Sequence, residues 1–530
     1  AGYAEQLRRR AAELSVEISR FKERAVPQSK QERLQMAARV LSTQLTALKA
    51  RAGALTLGAR DSAFDQAAAG GAAGGAEGAA GGAAADGLAA TGGGGRRGLP
   101  AQGPSGVATP AAGPCGADRH PDFRIGMVLP WVDGGVDGTR HTPAWFPHLA
   151  ATAAHSSLLV DWVILHEGSL ALPPAARPPN VFLFDVQPGG IARLFAARLS
   201  GALGLATDEA RALEQRMLLM FGKWPRLVAE YKPAYGHIFS RWLGNYTHWG
   251  YTDFDTIVGQ LPRFIERSEL TEHHIVTYSF GDTEAVYLRG QWTVHRNTPG
   301  VNRLWRQCSH LSDGLLHELS LKVAHLRKME AAGKANYHKR FLSAEGCYSY
   351  KAAHTRTVRI KVATKQFVGM GKQAAHVYAL GGAIWRCDRE LAPSEVDELL
   401  AVTKPACGYA LLGVQSPVGQ PERQTISGSG CGGWMPSEYR MCAPHLRAAG
   451  GHSLVLHDGE VFSQRVESDP AVHALGGACH EGAFFHMQEW KKRWARDGAA
   501  NVDPEARFDA FRISESGIHA IPGMLRVKYP

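Results

Sequence analysis

The chain has 530 residues and, with 59 Lys and Arg against 49 Asp and Glu, a formal net charge of +10. Length alone leaves room for about three domains, and the basic balance raises nucleic acid as a partner. Residues 1–60 carry +7, residues 61–100 carry −2 and the remaining 430 only +5, so the basicity belongs to the N-terminal end and is a weak signal for nucleic-acid binding.

In chain order, residues 1–60 read as a helical stalk. Leu7, Ala11, Leu14, Ile18, Phe21 and Ala25 recur at alternating spacings of four and three, and after Pro27 a second seam follows at Leu34, Ala38, Leu41, Leu45 and Leu48. Each seam is short, so a helical hairpin or a short dimeric coiled coil would bury it equally well. Residues 66–100 hold 13 Gly and 13 Ala in 35 positions, which leaves almost nothing to form a core. Residues 61–121 therefore read as a disordered tether, and 35 such residues span about 30–35 Å as a random coil. The first residue is Ala, and a signal or membrane anchor upstream of it is an expectation that no residue in hand tests. No stretch reaches the ~18 apolar residues of a membrane helix. Eight cysteines, none in a CxxC pair, argue against a zinc ribbon and fit either disulfides in an oxidising lumen or ordinary cytosolic thiols.

From residue 122 the pattern changes. Residues 123–130, 158–165 and 181–186 are short apolar runs, and residues 143–159 and 191–203 have helical spacing. Buried strands alternating with helices predict a parallel sheet covered on both faces, whose ligands sit beyond the carboxyl ends of the strands. A helix over 234–243 should lead into a strand over 246–251 that ends in Thr252-Asp253-Phe254-Asp255. On an extended backbone Asp253 and Asp255 would face one side and Phe254 the other. Two such carboxylates suit a hard divalent cation that keeps positions open for phosphate oxygens. An isolated D-x-D triplet is more often a solvated turn, but this one closes an aromatic-rich strand.

Leu129-Pro130-Trp131, the Lys232-Pro-Ala-Tyr235-Gly236 block and the Trp249-Gly-Tyr-Thr-Asp253-Phe-Asp255 block together resemble a GT-A-type glycosyltransferase. The resemblance is narrower to a poorly characterised family whose bacterial members have been linked to surface polysaccharides. It runs with gaps over residues 122–492, with later matches at 287–297 and 484–492. It implies an α/β fold, a GT-A-like Rossmann-type mixed sheet with an elaborated C-terminal acceptor half, divided as a nucleotide-sugar half at 122–300 and an acceptor half at 301–530. Two loops depart from the family: Trp131-Val-Asp133-Gly-Gly135 stands where an aromatic followed by Gly is expected, and His166-Glu167 where Thr-Asp is expected.

Carried onto this sequence, the resemblance implies Asp253, Asp255 and His486 as metal ligands, for Mn or Mg, with the imidazole favouring Mn. It implies Lys232, Tyr235, Trp131, Asp133, Lys491 and Lys492 beside the nucleotide. Glu345 is the candidate base or acceptor-orienting group. Each has a plainer reading: His486 as a core histidine, Lys232 as the partner of Glu230, Lys491 and Lys492 as a solvated helix face, Glu345 as a surface turn. Arg289 and Arg296 are further candidates for substrate, and Trp292, Trp385, Trp434 and Trp490 for sugar stacking. Asn245-Tyr-Thr247 is the only N-x-S/T sequon, and its place at the start of the metal-bearing strand predicts partial burial and no modification.

The expected activity is metal-dependent transfer of a sugar from a UDP-sugar to a hydroxyl of a glycan, lipid or protein, in the Golgi or another secretory lumen. The expected partners are that donor and acceptor, with no nucleic acid. The alternatives are a non-catalytic glycan- or nucleotide-binding module on the same fold, and a metal-dependent phosphoryl hydrolase.

Overall fold

The computed structural model divides the chain into two units, Ala1–Gly103 and Pro104–Pro530. It describes residues 120–521 apart from 121, 133–141, 169, 173–176, 281–283, 334–343, 370–375, 404–414, 432–434, 444–445, 447–450, 492–493, 495–501, 504–505 and 508–509. The stalk, the tether, Asp133 and Lys492 lie outside the described residues.

The strands in chain order are β1 (Ile125–Trp131), β2 (Val160–Glu167), β3 (Val181–Val186), β4 (His248–Thr252), β5 (Thr256–Val258), β6 (Ile275–Ser279) and β7 (Trp292–Arg296). There follow β8 (Arg359–Thr364), β9 (Gln366–Val368), β10 (His376–Leu380), β11 (Ala383–Cys387), β12 (Gln415–Gln424), β13 (His452–His457) and β14 (Glu460–Ser468). The last are β15 (His473–Ala474), β16 (Cys479–Gly482), β17 (Phe484–His486), β18 (Ala510–Ser514) and β19 (Gly517–His519). Ten of them form one mixed sheet in the order β12-β14-β13-β8-β6-β7-β4-β1-β2-β3. The expected parallel sheet is present over β4-β1-β2-β3. Beyond it β7 runs antiparallel to both β4 and β6, so the whole sheet is mixed.

Alternation along the strands separates two cores. Val128, Val163 and Leu165 face one side, with the helices Gly190–Leu203 and Thr207–Lys223. Ile125, Met127, Leu129, Trp162 and Ile164 face the other, with the helix Phe146–Ala153 and strands β5 and β17. Helix starts are marked by carboxylates, as the positive end of the helix dipole favours. Glu167 at the end of β2 accepts the Ile191 N–H at 2.9 Å, and Glu209 accepts that of Ala206 at 3.0 Å. His166-Glu167 thus serves in part as a helix cap.

The expected continuous helix over 234–243 is instead a 3-10 helix, Pro225–Ala234, followed by two single turns, Tyr235–Ile238 and Ser240–Leu243. Pro233, with no N–H and a ring that crowds the preceding turn, lies inside the 3-10 helix, and the two turns are separated at Phe239, whose φ of -96° and ψ of 15° leave the helical region. The motif glycines have packing reasons. A Cβ on Gly236 would fall inside the indole of Trp249, and one on Gly250 would sit 2.7 Å from the Thr293 carbonyl. The two sequence blocks are therefore one contact, a helical turn laid against β4.

Disulfides Cys308–Cys347, Cys387–Cys479 and Cys431–Cys442 join described segments. Among the described residues no helix is long and apolar enough to cross a membrane. Trp292, Trp385 and Trp490 are at most 1% exposed, which removes them from a sugar-stacking surface; Trp434 lies outside the described residues.

Two consequences are measurable. Gly236→Ala should cost about 1–3 kcal/mol by overpacking against Trp249, read as a lower urea midpoint with an unchanged slope. The second concerns His295, which is fully buried and stacks on Trp249 with ring centroids 4.0 Å apart. Burial, aided by the neighbouring charge of His248, holds its imidazole down to about 3. The unfolded chain takes up a proton near 6.5, so this contribution to stability is complete above pH 6.5 and is lost as pH falls toward 3. At pH 5 the loss from this ring is about 2 kcal/mol, and urea unfolding of His295→Phe at pH 7.5 and pH 5 should show a difference smaller by that amount.

Candidate metal centre

Strands β1, β2 and β3 step outward in one direction, and β4 returns to the other side of β1. The gap beyond the carboxyl ends of β1 and β4 is thus the place where an open α/β sheet offers a crevice. Trp131 closes β1, and Asp253 follows β4 directly.

Residues 253–255 leave the strand and turn, so the two carboxylates do not converge by strand alternation as the sequence suggested. The turn is held from both sides. Trp145 donates its indole N–H to the Phe254 carbonyl at 3.0 Å, and the Met487 N–H is donated to the Asp255 carbonyl at 2.9 Å. The Phe254 ring packs on Trp131 and Phe146, with centroids 4.7 and 5.5 Å apart. Phe254 does turn toward the core, as expected.

His486 arrives from a different part of the chain. In β17 it pairs with Thr256 of β5 on one side and Val368 of β9 on the other. Beside β9, buried Lys365 donates to Glu269 at 2.7 Å and Glu266 at 2.9 Å, which ties that strand to the helix Arg267–Glu272. His486 Nε2 lies 3.6 Å from Asp253 Oδ2 and 3.0 Å from Asp255 Oδ2. Ligand atoms of the three residues all lie within 4.8 Å of one another.

These residues fit a divalent cation by an observation independent of the spacing. Asp255 Oδ2 and both ring nitrogens of His486 are buried without a hydrogen bond of acceptable geometry, a costly condition for polar atoms withdrawn from water. Charge contacts hold them instead. Burial alone would raise the Asp255 carboxyl, but the charges of His486 and Lys491 outweigh it and keep the group well below the usual carboxylate range. Lys491 is the mirror image: burial would lower it, while the Asp255 charge raises it. One imidazole and two carboxylates suit Mn, and Mg less well.

Lys232 comes from the opposite face of the sheet, on the 3-10 helix Pro225–Ala234. Its ammonium contacts Asp253 Oδ1 at 2.5 Å and the Gly290 carbonyl at 2.6 Å. It does not pair with Glu230, which faces Lys322 at 3.9 Å. Gly290 itself was not anticipated as part of the site. A Cβ there would overlap Glu345 Oε1 and approach Lys232 Nζ to 3.5 Å, so the missing side chain leaves room for the Glu345 carboxylate beside Gly290. Glu345 is in the first turn of the helix Ala344–Ala353, which the Cys308–Cys347 disulfide pins.

The structure corrects several expectations. Tyr235 is 1% exposed and gives its hydroxyl to the Val228 carbonyl at 3.1 Å, a packing role that keeps it from a bound nucleotide. Arg289 is 1% exposed, stacks on Tyr287 at 3.9 Å and donates to its hydroxyl at 2.5 Å. Arg296 pairs in register with His248, at the amino end of β4, and so lies at the far end of the sheet from Asp253. Trp131 does reach the crevice, where its ring supports Phe254. Arg226, which no motif marked, is near enough for its charge to be felt at Lys491.

The model of a family of unknown function, DUF6625, matches residues 223–345. That span covers Lys232, both aspartates, Gly290 and Glu345, and stops short of His486. No curated protein matches the chain.

Because Lys491 and His486 share Asp255 Oδ2, an incoming cation has to compete with the ammonium for that oxygen. Lys491→Met should therefore tighten Mn binding about 10-fold, a change of about 1.4 kcal/mol, while His486→Ala should weaken it. Calorimetric Mn titration of the two variants checks both signs.

Proposed function

We propose that the chain is a metal-dependent glycosyltransferase of GT-A type, moving a sugar from a nucleotide-diphosphate donor, a UDP-sugar, to a hydroxyl of a glycan, lipid or protein. The observation that carries this reading is the meeting of Asp253, Asp255 and His486 at the switch point of the sheet, with Lys232 and Lys491 in contact with the same carboxylates. A crevice with a cation site and fixed ammonium groups is suited to a leaving diphosphate, whose negative charge grows as the glycosidic bond breaks.

The divalent ion, when bound, supplies Lewis-acid neutralisation of the departing diphosphate. The chain's own residues do the rest. Asp253 and Asp255 are oriented before any ligand arrives, since Trp145 and Met487 fix the carbonyls of their turn. Lys232 restrains Asp253 through Oδ1, which leaves Oδ2 turned toward His486. Lys491, about one-third exposed, is the cation that can swing from Asp255 to a diphosphate oxygen. Glu345, held beside Gly290, takes the proton of the acceptor hydroxyl. Placement in an oxidising secretory lumen, with the stalk and tether as the stem of an anchored Golgi protein, belongs to the same proposal. The three disulfides support it.

The test is UDP binding with and without Mn, beside a donor-hydrolysis screen of nucleotide sugars. Binding should require the metal. Asp255→Ala should lower turnover about 100-fold or more while near-UV circular dichroism stays unchanged. Metal-dependent UDP binding without turnover would favour a binding module, and release of inorganic phosphate without an acceptor would favour a phosphoryl hydrolase. Failure of both binding and hydrolysis overturns the enzyme reading.

A further inference from the structure

The sequon Asn245-Tyr246-Thr247 was expected to be partly buried at the start of β4, and the structure reverses that. The strand begins at His248, and Asn245 and Thr247 both lie on an exposed turn between the helical turn Ser240–Leu243 and β4. Only Tyr246 points inward, its hydroxyl donated to Asp161 at 3.0 Å. Among the described residues the Asn245 side chain makes no hydrogen bond or ion pair. Its amide therefore has no structural task that a substituent would disturb. The neighbouring Gly244 is exposed too, with open space around its Cα.

We infer that Asn245 is an N-glycosylation site. The co-substrate is a polyprenyl-diphosphate oligosaccharide: the Asn245 amide nitrogen forms a bond to the anomeric carbon of the first sugar, the carbon–oxygen bond to the diphosphate breaks, the amide loses one proton and the polyprenyl diphosphate leaves. The glycan stands at the amino end of β4. The metal centre lies at the carboxyl end, five residues or about 17 Å along the strand, so the sugar leaves the crevice open. The inference rests on the proposed placement in a secretory lumen and not on the transferase chemistry, because a non-catalytic protein passing through the same lumen would be modified alike.

The folded turn also sets the order of events. Thr247 Oγ1 accepts the Arg124 N–H at 2.9 Å and donates to the Arg124 carbonyl at 3.0 Å, just before β1. A transferase that must read the Thr hydroxyl finds it occupied once the strand has docked. Modification thus precedes pairing of β1 with β4, and the native, unmodified protein is a poor acceptor.

The test is expression of the 530-residue chain behind a cleavable secretory signal in cultured eukaryotic cells, followed by peptide N-glycanase digestion and peptide mass spectrometry. The wild type should migrate more slowly until digested, and digestion should convert Asn245 to Asp. Asn245→Gln should abolish the shift, and Thr247→Ser should keep most of it. Protein retained inside the cell serves equally well, since the modification occurs on entry to the lumen. An unmodified Asn245 in the wild-type, disulfide-bonded product overturns the inference. Efficient modification of refolded, unmodified protein in vitro overturns the proposed order.

Discussion

A carboxylate removed from water must find positive charge or give up its own, because burying an unpaired ion costs several kcal/mol. Asp255 is 4% exposed and remains strongly acidic, and much of the architecture around it answers that constraint. His486 and Lys491 meet its Oδ2 from the C-terminal part of the chain, and Lys232 meets its neighbour Asp253 from the other face of the sheet. Remove the cations and the turn at 253–255 would hold a buried acid, Asp255, and a half-buried one, Asp253, with nothing opposite them. The same arrangement stores binding capacity, since charge contacts without well-formed hydrogen bonds are the ones a stronger cation can replace.

The cluster sits where it does because the sheet has two covered faces. The core that contains Tyr231, Ala234 and Tyr235 carries the helix bearing Lys232, whereas the core that contains Phe484, Phe485 and Met487 carries the strand bearing His486. Neither core could place both groups. They meet only beyond the strand ends, where β1 and β4 part and the backbone is free to turn. Pins farther out serve the same end: the Lys365 network beside β9 and the Cys308–Cys347 disulfide beneath Glu345.

The glycine-rich motifs have a physical meaning that differs from substrate contact. Gly236 and Gly250 are small so that a helical turn, Trp249, Met127 and β7 can approach one another, and Gly290 is small so that the Glu345 carboxylate fits beside it. A pattern that looks functional in the sequence is here largely the packing that holds functional groups still. The aromatic residues follow the same rule: Trp292, Trp385 and Trp490 fill cores, while Trp131 and Trp145 touch the site as supports of Phe254.

By itself the sequence determined the local elements. Continuous apolar runs marked β1, β2 and β3 within two residues at each end, because burial on both faces of a sheet leaves that composition as its trace. It also marked Asp253 and Asp255 by their spacing at a strand end, and the family resemblance it carries pointed to His486, Lys232 and Glu345. What it could not decide was which of those groups meet and which are spent on packing. Tyr235 and Arg289 have the right chemistry and are buried in cores; Asn245 lies beside a strand and is exposed. The 230 residues between Asp255 and His486 leave no local signal of their contact, which depends on antiparallel pairing of β5 with β17. Burial and proximity are sums over the whole chain, so only the tertiary structure could set them.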